Sequence, residues 1–263
     1  MTKQNMIIPT IGAVVLAGFI AACTGGGGGG TISPPPPSSP TPTSSPVLSG
    51  TMQVATGGTV GSFTYSPAAN ATVVFSCGCS TQAGTATADG SGAFTLVAAS
   101  TPMPASPNPT YTIVPGRNYV VVATSGSGAE GWTAQFAGRI PSHNQSLGAN
   151  TSDVYTAAVS LYVFNNSGSG PTGFDDWNFN ALAAWYTQLN TAPNGAETKL
   201  LNDIAAQSVA NKTLYPGAPS WDPAHSSNAT IKADLASVKT SGDATIPTPC
   251  PGGEANCTGT PTP

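Results

Sequence analysis

The sequence predicts a β-plus-α protein, an antiparallel β-sandwich followed by a small helical region. Three observations carry this. From Met52 to Val122, apolar residues recur at every second position in short runs separated by Gly, Pro and Ser, the pattern of half-buried strands. From Ser152 the apolar spacing lengthens to nearly four, the period of one helix face. Beyond an apolar N-terminus and a Gly/Pro-rich stretch, roughly two hundred of the 263 residues remain, enough for one large or two small domains. The chain therefore divides into 1–22, 23–49, 50–150, 151–241 and 242–263: signal, tether, sandwich, helical region and Pro/Thr-rich tail.

Composition narrows the function classes. Only 7% of residues are charged, against roughly 25% in ordinary soluble proteins, so solubility rests on Ser, Thr, Asn and Gly. A net charge of -4 with 7 Lys and Arg removes the counterion-release drive toward nucleic acid. No nucleic-acid partner is expected.

In chain order, Lys3 precedes the apolar run Met6 to Ala22, which Pro9, Gly12 and Gly18 interrupt. The run is at the short end for a spanning helix and no basic stop-transfer cluster follows it. Its small-residue end suits a cleaved signal. Ile20-Ala21-Ala22-Cys23 resembles the lipobox of bacterial lipoprotein precursors. That resemblance implies acylation of Cys23, which then becomes the first residue and the membrane anchor. Thr24 rather than Asp follows, which in two-membrane bacteria implies sorting to the outer membrane. One acyl chain holds only marginally, at about 0.8 kcal/mol per buried methylene, and lipoproteins of this kind carry two or three. Gly25 to Gly30 is a flexible coil, and Pro34 to Pro46 favours polyproline II at about 3.1 Å per residue. Neither can bury apolar surface, so residues 23–49 are expected to act as a spacer.

In the sandwich region the alternating pairs are Met52 and Val54, Phe63 and Tyr65, Val73 and Phe75, Phe94 and Leu96, Tyr111 and Ile113, then Val120 and Val122. Asp89-Gly90-Ser91-Gly92 reads as a tight reversal, with residues 85–87 and 93–96 expected to pair across it. The region resembles the carboxypeptidase-regulatory-like, transthyretin-type family. Three stretches carry the resemblance, at residues 70–75, 87–94 and 115–122, against that family's Gly-Ala-x-Val strand, Thr-x-Asp-x-x-Gly-x-Phe hairpin and Gly-x-x-Tyr-x-Val strand. Asn70 stands in place of the first glycine, and residues 101–109 form a Pro-rich insertion. The resemblance covers less than half the chain and implies an accessory scaffold or binding module without catalytic residues. Gly126-Ser127-Gly128-Ala129-Glu130-Gly131 fits G-x-G-x-x-G, but in a chain with 31 glycines roughly 0.4 such triples arise by chance, and no βαβ repeat surrounds it.

In the helical region, Ser152 is expected to cap a helix carrying Val154, Ala158, Leu161 and Tyr162. Asp175-Asp176 are expected to lead a helix with Trp177, Ala181, Leu182, Trp185 and Leu189 on one side, the carboxylates suiting the helix dipole. Asn194 with Glu197 forms a capping-box pair ahead of Leu200, Leu201, Ile204 and Ala205. Asn228 precedes Ile231, Leu235 and Val238. Aromatic area concentrates here in Phe174, Trp177, Phe179, Trp185, Tyr186 and Trp221. The spacing of Trp177 and Trp185 fits core packing. Trp221, in a Pro-rich stretch, is the candidate ligand-binding residue for a glycan, the alternative to a plain scaffold.

The four cysteines besides Cys23 are Cys77, Cys79, Cys250 and Cys257, and an even number in an exported chain reads as disulfides. Their C-x-C and C-x₆-C spacings miss the usual zinc knuckles, so no metal is expected. Local pairing, Cys77–Cys79 and Cys250–Cys257, is favoured because the polar tail has nothing to dock it on the sandwich. The alternative crosses from tail to strand. His143 and His225 are the only histidines, and neither a G-x-S-x-G elbow nor a P-loop lysine occurs. Ser220, Asp222 and His225 are close in sequence, which does not supply triad geometry. The expectation is no enzyme and no cofactor: a lipid-anchored cell-envelope protein whose partner is another envelope protein or a glycan.

Overall fold

Alternation in the first half builds nine strands: Val47–Thr51 (β1), Gln53–Gly57 (β2), Thr64–Pro67 (β3), Thr72–Cys77 (β4), Gly84–Thr87 (β5), Ala93–Val97 (β6), Arg117–Thr124 (β7), Thr133–Ile140 (β8) and Gln145–Ser146 (β9). The computed structural model describes residues 47–77, 84–97, 117–125, 133–140, 145–147, 150–167, 176–217 and 226–250. These belong to one compact unit. Three antiparallel sheets form: β1 with β6, β2 with β3, and a five-stranded sheet in the order β5-β4-β7-β8-β9. The protein thus combines antiparallel sheets with helices.

The two-residue period sorts the five-stranded sheet into two faces. Val73 and Phe75 of β4 lie opposite Ala123 and Val121 of β7, which lie opposite Ala134 and Phe136 of β8. All six share an apolar cluster with Leu48, Met52, Phe94 and Leu96. The alternate residues Val120 and Val122 face a second cluster made with the helices. The hairpin of β2 and β3 touches both, Val54 in the first and Ala55 in the second.

Four helices follow: Val154–Asn166 (α1), Phe179–Thr191 (α2), Gly195–Val209 (α3) and Ala229–Thr240 (α4). Every residue of α1 from Val154 to Val163 is buried. It has the composition of a helix buried on all sides, and it packs on β8 while α2, α3 and α4 pack on it. Tyr162 meets Trp177 and Trp185 edge-on, with ring centroids 5.8 and 4.9 Å apart.

Several expectations need correction. Asp89 to Gly92 does form a tight turn, closed by the Asp89 N–H to the Ala93 carbonyl (2.8 Å). The strands on either side do not pair with each other, because β5 bonds to β4 and β6 to β1. The turn is a corner between two sheets. The cap of α1 is Asp153, not Ser152: Asp153 Oδ1 accepts from the Thr156 N–H (2.6 Å), and Thr156 Oγ1 accepts from the Asp153 N–H (2.8 Å). The cap of α2 is Asn178, so Trp177 precedes the helix and the Asp176 carboxylate is not at its first turn. Residues 47–49, assigned to the tether, belong to β1, and Leu48 is 1% exposed. The strand β8 was not anticipated, since Ala134 and Phe136 are its only clear apolar alternation. The caps at Asn194 and Asn228 lie where the spacing placed them. Tyr111, Ile113 and the glycine triple lie outside the described residues.

Candidate functional site

The densest gathering of titratable side chains surrounds the N-terminus of α1. Asp153 is there as the cap, and its Oδ2 accepts from the Tyr186 hydroxyl of α2 (3.3 Å). Tyr65 of β3 accepts from the Val154 N–H (3.3 Å), and Tyr155 accepts from the Gly61 N–H (3.2 Å). One step away, Ser152 Oγ accepts from the Gln53 N–H (2.6 Å) and donates to the Gln53 carbonyl (3.0 Å). The hairpin and the helix therefore exchange side-chain bonds to each other's backbone.

Burial dominates the electrostatics of this joint. It raises the Asp153 carboxyl above the usual carboxylate range, outweighing the hydrogen bonds from Thr156 and Tyr186. Burial and the neighbouring Asp153 carboxyl push the Tyr186 phenol up to about 12. Burial also raises Tyr65. Every printed bond of the cluster goes to the chain's own groups, so its chemistry is that of a joint rather than of acid–base catalysis.

A second polar constellation joins α3 to α4. Lys199 Nζ reaches Asp203 Oδ2 (2.6 Å) and Asp234 Oδ1 (2.5 Å). A third lies at the end of α2, where Glu197 has no exposed surface. Its Oε1 accepts from Trp185 Nε1 (2.7 Å), and its Oε2 accepts from the Asn194 N–H (2.8 Å) and Gln188 Nε2 (3.0 Å). The capping-box spacing anticipated the Asn194 contact. The Trp185 contact carries no signal in the sequence, because it is tertiary.

Two shallow grooves flank the helices. One of about 460 Å³ lies between the β2–β3 hairpin and the end of α3, against Val54, Thr56, Pro67, Val209 and Asn211. Val209 is 56% exposed, the one large apolar side chain so exposed among the described residues. The other, of about 240 Å³, sits by Lys212, Thr213, Ser227 and Asn228 at the start of α4.

Cys23, Cys79, Cys257 and Trp221 lie outside the described residues, as do His143, Ser220, Asp222 and His225. Cys77 ends β4, in register with Tyr119 of β7. Cys250 is disulfide-bonded, and its N–H donates to the Asp176 carbonyl ahead of α2. Nearer α4, Asn194 Nδ2 donates to Asp243 Oδ2 (3.0 Å), Ile246 packs on the helical cluster and Pro247 is buried. The tail up to residue 250 is held on the helical half, so the premise that it has nothing to dock it, which favoured local pairing, falls. Trp177, Phe179 and Trp185 are buried, with the indole N–H groups donating to Ser167 and Glu197.

No protein-family model, curated protein or solved structure matches this chain. Among the described residues no helix is long and apolar enough to cross a membrane, and no group of three His, Cys, Asp or Glu side chains could hold a metal ion.

Proposed function

We propose that the chain is a cell-envelope lipoprotein, anchored by acylated Cys23, whose folded part serves as a non-enzymatic scaffold or binding module. The observation that carries it is the order Ile20-Ala21-Ala22-Cys23, then a Gly- and Pro-rich tether, then β1 beginning at Val47. The disulfide at Cys250 supports an oxidising compartment. We read the strand half as a transthyretin-type sandwich. In support, β1 and β6 contribute Leu48, Phe94 and Leu96 to the same apolar core as Phe75, Val121 and Phe136 of the five-stranded sheet. A corner at Asp89–Gly92 that passes the chain between sheets suits that architecture. The polar joints hold the chain's own elements together, which fits a module that presents a surface.

The test is Cys23→Ser. Loss of detergent-phase partitioning and accumulation of unprocessed or soluble protein are expected. Unchanged partitioning overturns the lipoprotein reading. The glycan reading keeps Trp221 alone, since Trp177 and Trp185 are core residues. Glycan-array binding that Trp221→Ala abolishes would decide in its favour.

A further inference from the structure

We propose that α4 docks on α3 through a single proton held between Asp203 and Asp234 beneath Lys199, making this seam a proton-sensitive latch. The argument begins with Asp234, which lies mid-way along α4 and is 3% exposed. Its Oδ1 accepts from Lys199 Nζ at 2.5 Å, while its buried Oδ2 meets no donor. An ionised carboxylate left so would forfeit the hydration of that oxygen, a cost that buried polar groups are built to avoid.

The group that reaches it is the carboxyl of Asp203, with which it shares a hydrogen bond. Ionised carboxylates only accept, so a bond between two of them requires one proton. Lys199 Nζ, 2.6 Å from Asp203 Oδ2, brings both acids within reach of one ammonium. Two acids and one cation that share one proton carry no net charge, the form that a buried seam favours.

The surroundings add no competing charge. From α3 the facing groups are Lys199 and Asp203. The other helix packed on α4 is α1, which holds tyrosines but no charged side chain. Lys239, near the end of α4, turns instead to Asn166 Oδ1 (2.9 Å).

The sign of the pH dependence follows. Burial first, then Asp203, raises the Asp234 carboxyl, so the fold retains a proton that the unfolded chain releases near pH 4. Stability is therefore lost as pH rises from there through the raised value. Burial opposes ionisation of Asp203 too, but the bonds from Lys199 and Asp234 outweigh it and hold that carboxyl below its ordinary range. Its contribution is lost as pH falls below that range. The latch is tightest when one proton is present.

The experiment follows the thermal midpoint of the full chain against pH for wild type, Asp234→Asn, Asp203→Asn and Lys199→Met. Asp153 adds a background fall common to all four, so the reading is the difference from wild type. Either Asn variant should flatten the decline above pH 4, because an amide supplies the donor permanently. Lys199→Met should move the decline to higher pH, because the pair then holds its proton more tightly. Asn variants whose profiles run parallel to wild type overturn the proposal. Should Asp234→Asn fail to fold, the carboxyl carbon shifts of the wild-type aspartates decide. One carboxyl still protonated above pH 5 supports the latch, and all ionised there refutes it.

Discussion

Glu197 shows how much one side chain can hold when its bonds are local and tertiary at once. It closes the capping box of α3 through Asn194 and receives the indole N–H of Trp185 in the core. Glu197→Ala should cost about 3 kcal/mol, the loss of a cap together with an orphaned indole donor. Glu197→Gln should cost less, since an amide oxygen still accepts. Chemical denaturation of both variants checks the order. The cap was legible because Asn194 and Glu197 are three apart, a distance that the chain itself enforces. The indole contact was not, because residue 185 belongs to another helix. The same limit explains Ser152 and Asp153. Both are good caps, and only the approach of Gln53 diverts the Ser152 hydroxyl to the strand.

Among elements, the corner between β5 and β6 is the most demanding. Gly92 has φ of +78, and a Cβ there would lie 2.3 Å from the Met52 carbonyl oxygen, a backbone atom that cannot step aside. Gly92→Ala should therefore cost about 3 kcal/mol or more. Gly90→Ala, where a Cβ meets nothing within 4 Å, should change stability by about 0.5 kcal/mol at most. Thermal unfolding of the two variants separates them. The pattern Asp-Gly-Ser-Gly made the turn legible, yet alternation reports only which residues share a face. It cannot say which strand lies alongside, so a corner and a hairpin look alike. Helices were read more nearly correctly because their caps and faces are set within a few residues. Trp177 escaped, packed beside a helix that begins two residues later.

For the whole molecule, the edge of the fold lies three residues earlier than the composition suggested. Deleting residues 24–46 should leave the thermal midpoint unchanged, whereas extending the deletion through Ser49 should lower it, since Leu48 alone contributes about 2 kcal/mol of burial. Calorimetry of the two truncations would detect the boundary. The spacer's Pro and Gly content was legible, but Val47 and Leu48 look like more of it until β6 is placed beside them. Elsewhere the N-terminal hairpin is fastened to distant chain: Gln53 to Ser152, and the Val60 N–H to Asn202 Oδ1 at 3.1 Å. Contacts between residues so far apart in sequence slow folding, because the intervening chain must be ordered before they form. They also fix an order in time. While residue 53 is leaving the ribosome its clasp does not yet exist, and it will not exist until a hundred more residues have been made. The leading strands therefore have no early fold of their own to settle into, and a polypeptide in that state can still be threaded through a membrane pore.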